Sequence, residues 1–202
     1  MKEIDQNTEL KILYAAQEEF LLKGMSGARM QGIADRAGIN KALLHYYYRS
    51  KEKLFMAVFK LVISLFIPRL EKIINSEDVF FDKIRQFAKN YGHLLMKNPF
   101  LPLFILHEIN RNPDSLVKEF FSRGINPEAF FAMVQREIDA GKIKAIDPCQ
   151  LILNMLSLMI FPIAGRPLLQ RVIYKNNKKE YDEMLKKRLE DVPEFIINSI
   201  KI

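Results

Sequence analysis

The stretch that decides the fold is residues 24–55, GMSGARMQGIADRAGINKALLHYYYRSKEKLF. Its middle part predicts a short helix over residues 29–37, because apolar residues recur there at helical spacing before Gly38. Glycine suits the tight turn that follows, since it tolerates a positive φ. Asn40 is a good N-cap and predicts a second short helix over residues 41–48. Two helices joined by a short turn with glycine form the helix-turn-helix pattern.

The second of these helices has one side for the core and one for a partner. At roughly 100° per residue, Leu44 and Tyr48 share the inward side, and Ala42 and Tyr46 lie opposite. Small and apolar side chains can meet thymine methyl groups in the major groove, and Tyr or His can hydrogen-bond to phosphates or base edges. The pattern therefore predicts a recognition helix. Composition alone also allows three packed helices with an aromatic cluster.

The charge distribution favours nucleic acid as the partner. The 202-residue chain has a formal net charge of +7, and residues 29–60 contain seven Lys or Arg against two acidic residues. Most of the basic excess therefore lies beside the predicted helix-turn-helix, where backbone phosphates would be bound.

The rest of the chain also has helical periodicity, so the predicted fold class is all-α. A first helix over residues 8–23 should end at Gly24. Asn-Pro or Asp-Pro steps at residues 98–99, 112–113, 126–127 and 147–148 predict three or four helix starts. The alternative is that some of these steps are only turns, which is weakest at Pro127 and Pro148, where a long apolar-periodic run follows. We expect one helix over residues 148–173 and another over residues 178–200. Pro68 should kink or end its helix, and Pro193 should bend the last one.

Residues 8–60 resemble the DNA-binding domain of the TetR family. The matching segments are Phe20…Lys23-Gly24, IADRAGINK at residues 33–41, and YYY-x-SKE-x-LF at residues 46–55. The resemblance implies a three-helix helix-turn-helix domain over residues 1–55 and a larger carboxy-terminal helical domain for ligand binding and dimerisation over residues 56–202. It also implies a homodimer on double-stranded operator DNA, most often a repressor, with a small apolar or amphipathic effector.

The family's DNA contacts are carried over position by position. They fall on Gln31, Asn40, Lys41, Ala42, Leu43, His45, Tyr46, Tyr47 and Lys51, with Lys51 as a phosphate ligand. Ala28, Ala42 and Leu43 depart from the family pattern, which often has Thr, Gly, and Thr or Ser there. Leu43 is therefore a hypothesis for contact with a thymine methyl group.

The last two long helices are the candidates for dimerisation. Their apolar stripes predict an interface that contains Leu151, Met155, Met159, Leu185, Leu189, Val192 and Ile196. The alternative is that these residues only complete the core of one chain.

The effector site has weaker signals. Its polar candidates are Tyr91, His93, His107 and Asn110, although such residues are more often ordinary core or surface positions. The single cysteine, Cys149, stands near a helix start, where a lowered thiol pKa would allow it to sense oxidants.

Other classes of function have little support. The sequence contains no nucleotide fingerprint or metal-ligand spacing, and the three histidines are far apart, so we expect no enzyme activity, metal or cofactor. The sequence start has no secretory signal and the longest apolar run is short for a membrane span, so we expect a cytoplasmic protein without a membrane partner. A DNA-binding protein controlled by a protein partner, or acting architecturally without a ligand, is the alternative; an apolar cavity in the larger domain would distinguish the two.

Overall fold

A computed structural model describes residues 2–111, 113–122, 124 and 127–202, without the side chains of residues 2–6, 104, 107, 108, 111, 115, 116 and 119. Within these ranges the chain forms eleven helices. They are α1 (Lys2–Gly27), α2 (Met30–Ala37), α3 (Lys41–Tyr47), α4 (Lys51–Ile74), α5 (Phe80–Lys97), α6 (Leu101–Arg111), α7 (Pro113–Ser122), α8 (Pro127–Asp139), α9 (Pro148–Ala164), α10 (Arg166–Val172) and α11 (Lys178–Ile200). The β-structure in the described part is one isolated bridge between Ile143 and Lys201, so the all-α prediction is confirmed.

The chain divides into two compact units, residues 1–65 and 66–202. The division falls inside α4, later than the boundary predicted at residues 55 and 56. The boundary between the functional domains at residues 55 and 56 stays a prediction.

The first unit is built around α1. Phe20 of α1 contacts Phe55 of α4, with ring centroids 4.5 Å apart. Ile12, Ile33 and Leu44 of the same unit are also fully buried. Gly24 has φ 66°, ψ 178° inside the range of α1, which breaks the helical geometry where the sequence predicted a stop.

The second unit has its core between α5, α9 and α11. Gly92 of α5 permits their close approach, because a Cβ there would overlap the side chains of Leu189 and Met159. Leu95, Met155 and Ile196 are among the buried apolar residues of this core.

Side chains of α11 satisfy backbone groups around a proline in α9. Pro162 lacks an N–H, so the Leu158 carbonyl one turn earlier loses its helical donor. Arg188 Nη2 donates to that carbonyl at 2.8 Å. The buried Tyr181 hydroxyl donates to the Pro162 carbonyl at 2.6 Å. These two bonds join α11 to α9.

Several predicted helix boundaries need correction. The helix predicted over residues 148–173 is two helices, α9 and α10, with a 70° bend at Gly165. Asn98 ends α5, where its Nδ2 donates to the Leu94 carbonyl, and the helix predicted after the Asn98-Pro99 step begins at Leu101. Pro68 lies within α4 and does not end it. Asn112 and Asn126 lie outside the described residues.

Among the described helices, none by itself has the length and apolar character needed to cross a membrane. Only α9 and α10 together would meet both criteria, across their 70° bend.

Candidate nucleic-acid interface and ligand cavity

Helix α3 is fixed at both ends by local chemistry. Gly38 ends α2 in the left-handed region, with φ 67°. Asn40 then caps α3, and its Oδ1 accepts from the Leu43 N–H at 2.7 Å. At the other end the Tyr48 hydroxyl donates to Glu9 Oε1 of α1 at 2.8 Å, and burial together with that carboxylate raises the pKa of Tyr48 well above its usual value.

The two sides of α3 differ as the periodicity predicts. Leu44 is fully buried and Tyr48 nearly so. Lys41, Ala42, His45 and Tyr46 are exposed, and Leu43 and Tyr47 are half-buried. Tyr46 leaves 78 % of its surface in solvent, which is unusual for a large aromatic side chain in a folded unit. The helix therefore presents a continuous surface with one cation, one imidazole and one phenol.

Among the proposed DNA-contacting side chains, those of Gln31, Lys51 and Asn40 have hydrogen-bond partners within the first unit. Gln31 Nε2 donates to Asp35 Oδ1 at 2.7 Å. Lys51 Nζ lies 3.1 Å from the Ala28 carbonyl oxygen and 3.4 Å from that of Ser26. Asn40 uses its Oδ1 as the α3 cap, so its Nδ2 is the group suited to a phosphate. Lys51 has three donors, and these carbonyl contacts hold its ammonium group at the start of α4.

A buried carboxylate joins α1 to α2, and sequence reasoning missed it. Glu19 is 1 % exposed, and its Oε atoms accept from Lys23 Nζ at 2.7 Å and Arg36 Nη2 at 3.4 Å. The Lys23 bond lowers the pKa of Glu19, and Arg36 adds to the effect against the cost of burial. Arg36 also bonds to the exposed Glu18. Arg36 therefore supports the domain internally, although it counts toward the basic excess.

Gly32 makes room for this carboxylate. A Cβ on Gly32 would lie 2.7 Å from Glu19 Oε1. Glycine inside a helix costs about 1 kcal/mol relative to alanine, so its presence in α2 was the one sequence signal of a close approach here.

The second unit contains an apolar cavity of about 340 Å³. Its walls come from α4, α5, α8 and α9, and they include Ile67, Leu70, Ile84, Phe87, Phe130, Met133, Ile152 and Met155. Three polar side chains, Glu71, Asn75 and Lys83, also line it. This volume lies at the lower end of the range of small-molecule pockets.

Of the four predicted ligand residues, the three whose side chains the structure describes do not line this cavity. Tyr91 packs against Phe66 and Phe87, and burial raises its pKa to about 12. His93 is exposed on a groove between α5 and α11. Asn110 is exposed and donates to the Leu106 carbonyl of its own helix. The His107 side chain lies outside the described residues. Polarity alone could not identify lining residues, because the cavity is made mainly of apolar side chains.

The residues predicted for dimerisation lie in the core of a single chain. Leu189 is half-buried, and the other six are buried: Leu151, Met155, Met159, Leu185, Val192 and Ile196. This is the alternative that the sequence left open. Apolar side chains on the outer side of the same helices are instead exposed, Leu153 by 53 %, Phe161 by 62 % and Phe195 by 67 %.

Cys149 is exposed beside the α9 cap. Partial desolvation and the neighbouring Asp147 carboxylate raise the pKa of its thiol. This direction is opposite to the lowering that a redox sensor would need.

Comparison with known proteins agrees with this architecture. Residues 12–58 match the family described as bacterial regulatory proteins, tetR family. The HTH-type transcriptional regulator RutR of Escherichia coli K12 is 38 % identical over 60 residues, which are 30 % of this chain and 28 % of RutR. The chain thus matches less than a third of the length of this relative.

Solved structures match almost the whole chain at low identity. A TetR/AcrR-family regulator from Thermobifida fusca has a TM-score of 0.69 at 17 % identity, covering 95 % of this chain and 97 % of its own. FadR from Bacillus subtilis, in complex with stearoyl-CoA, has a TM-score of 0.67 at 18 % identity, covering 93 % and 97 %. Residues 12–58 thus carry an amino-terminal domain of the tetR family of bacterial regulatory proteins, and the chain as a whole shares the fold of these solved structures.

Proposed function

We propose that this protein is a sequence-specific DNA-binding transcriptional regulator, a repressor that a small ligand releases from a palindromic operator. The observation that carries the proposal is the surface of α3. Its inward residues are buried, whereas Lys41, Ala42, His45 and Tyr46 are exposed together on a helix narrow enough for the major groove.

Leu43 is the residue we assign to recognition of a thymine methyl group. It is half-buried at the first turn of α3, beside the capped N-terminus. Leu43→Ser should therefore change the preferred base at one position of each half-site. An unchanged preference would refute this contact.

The cavity in the second unit supports control by a small molecule over control by a protein partner. Its walls are mainly apolar, which suits an apolar or amphipathic effector. An effector acts only if it binds the DNA-competent and DNA-incompetent conformations with different affinity.

The assembly we propose is a homodimer through the outer side of α9 and α11. Asn154, Ser157, Leu158 and Phe195 line a shallow groove of about 250 Å³ there, and Phe161 extends the apolar surface. Phe195→Glu should give a monomer by light scattering at micromolar concentration. The matched control is Val79→Glu, which changes a side chain with 66 % exposure in front of α5 and should leave the dimer intact.

The proposed function is tested by a binding titration with the DNA upstream of the protein's own gene. It is made at two salt concentrations with random DNA as competitor. We expect tight, salt-dependent binding that resists the competitor. If affinity for this fragment and for fragments selected from genomic DNA does not exceed that for random DNA, the protein is not a sequence-specific regulator.

A further inference from the structure

The polar side chains of the cavity lie at one end of it. Glu71 and Asn75 belong to the last turn of α4 and the residue after it, and Lys83 to the first turn of α5. Only residues 75–79 separate these two helices. Ile67 lies about two turns before Asn75 in α4, Phe87 lies about one turn after Lys83 in α5, and both line the same cavity. The polar lining side chains are therefore gathered at the α4–α5 corner, where Ile73 and Ile74 also line the cavity, and the lining beyond the corner is apolar.

Lys83 is fixed at this corner. Its Nζ donates to the carbonyl of Ile74, the last residue of α4, at 2.8 Å. The side chain is half-buried, and Phe87 follows it by one turn on the same face of α5. An ammonium group has three donors, so this bond leaves two N–H groups to satisfy. A cation that is partly withdrawn from water beside apolar walls favours an anionic partner.

The nearby acidic groups do not neutralise Lys83 by direct contact. Within the described residues, no ion pair of 4.0 Å or less joins Lys83 to an acidic side chain. Asp78 accepts from Gln86 Nε2 at 2.8 Å and interacts with Lys83 through space, without an ion pair. Glu71 is exposed and can keep its hydration. Lys83 is thus the better partner for a ligand head group.

We propose, resting on the proposed function, that the effector is an amphiphile with an anionic carboxylate head bound by Lys83 and an alkyl tail in the apolar part of the cavity. The head accepts hydrogen bonds from Nζ at the α4–α5 corner. The tail extends past Leu70 and Phe87 toward Ile67 and Met155, in van der Waals contact with the cavity walls.

Calorimetric titration of the full chain with three probes of equal chain length tests this proposal. The probes are decanoate, decanol and decylamine, each below its micellar concentration. Decanoate should bind on the order of tenfold more tightly than decanol, as expected for one charge-assisted hydrogen bond, and decylamine should bind more weakly than both.

Two variants assign the preference to one residue. Lys83→Met keeps an apolar stem of similar length and should remove the preference for decanoate while decanol binding persists. Retained decanol binding shows that the variant is folded. Lys89→Met, on the exposed side of α5 and outside the cavity lining, should behave as the wild type. A preference that survives in Lys83→Met overturns the proposal.

The wild-type results separate this inference from the proposed function. Equal binding of decanoate and decanol refutes the carboxylate head but keeps an apolar effector cavity. Tighter binding of decylamine refutes it as well and assigns the head to Glu71. Binding of none of the three refutes both the anionic head and the alkyl-tail cavity, while the DNA titration still decides regulation.

Discussion

Replacement of Glu19 by glutamine tests how the recognition helix is supported. Glu19 is buried between α1 and α2, and it accepts hydrogen bonds from Lys23 and Arg36. Glutamine keeps the size of the side chain but removes its charge. It also places an N–H₂ group where one oxygen faces a cation, so the link between α1 and α2 should weaken.

The magnitude follows from these two bonds. A hydrogen bond to a charged group contributes about 1.5–3 kcal/mol, and the 3.4 Å bond to Arg36 is the weaker of the two. The Lys23 and Arg36 side chains are 51 % and 35 % exposed, so solvent screening lowers the gain. We expect Glu19→Gln to lower the free energy of unfolding by about 2 kcal/mol.

Urea unfolding followed by far-UV circular dichroism measures this loss. The matched control is Glu18→Gln, because Glu18 also bonds to Arg36, at 3.2 Å, but is 64 % exposed. An exposed ion pair contributes little, so this control should change stability by less than about 0.5 kcal/mol. Equal effects of the two variants would refute the role of the buried carboxylate.

The pH dependence gives a second test. Hydrogen bonding lowers the pKa of Glu19 in the folded state, so its contribution is present above the unfolded pKa of about 4.3 and is lost as pH falls through the folded pKa. The stability difference between wild type and Glu19→Gln should therefore be constant near neutral pH and shrink below about pH 4. A difference that grows on acidification would contradict this assignment.

Three further predictions address the recognition surface and the core of the second unit. Tyr46→Ala should weaken operator binding more than random-DNA binding in competition titrations. Lys51→Ala should weaken the binding of both DNAs and lower the slope of log affinity against log salt by about one. Equal effects of the two variants on both DNAs would contradict these roles. Gly92→Ala should destabilise the chain to urea by about 1–3 kcal/mol, because its Cβ overlaps side chains of α9 and α11, and unchanged stability would show that the helices move apart freely. Arg188→Met should lower the free energy of unfolding by about 1–2 kcal/mol in the same assay, because the Leu158 carbonyl of α9 loses its hydrogen-bond donor. Lys187→Met, at an exposed position, is the control and should leave stability unchanged.

The sequence was most informative where local chemistry decides the structure. Local rules that involve only neighbouring residues account for three features of the helix-turn-helix. These are the turn at Gly38, the cap at Asn40, and the burial of Leu44 and Tyr48 at helical spacing. The bounds of the two short helices could therefore be predicted to within one residue. The start of α9 behind Asp147-Pro148 follows from the same rules.

Features that depend on tertiary contact could not be predicted in this way. An apolar stripe on α9 or α11 shows that one side of the helix is buried, but not whether the same chain or a second chain buries it. The structure places the residues predicted for dimerisation in the core of a single chain. The cavity arises from the spacing of four helices, and no local pattern encodes it. The burial of Glu19 could not be predicted, because it depends on the close approach of α2 to α1 at Gly32, which is a tertiary contact.

The central claim is that α3 of a symmetric dimer recognises operator sequence in the major groove. The most direct measurement is selection of bound fragments from a random DNA pool, followed by sequencing. We predict an enriched two-fold symmetric site whose half-sites are centred about 10–10.5 base pairs apart, or a multiple of this spacing, and which Tyr46→Ala no longer enriches. Enrichment of a single asymmetric site, or of no sequence at all, would contradict the claim.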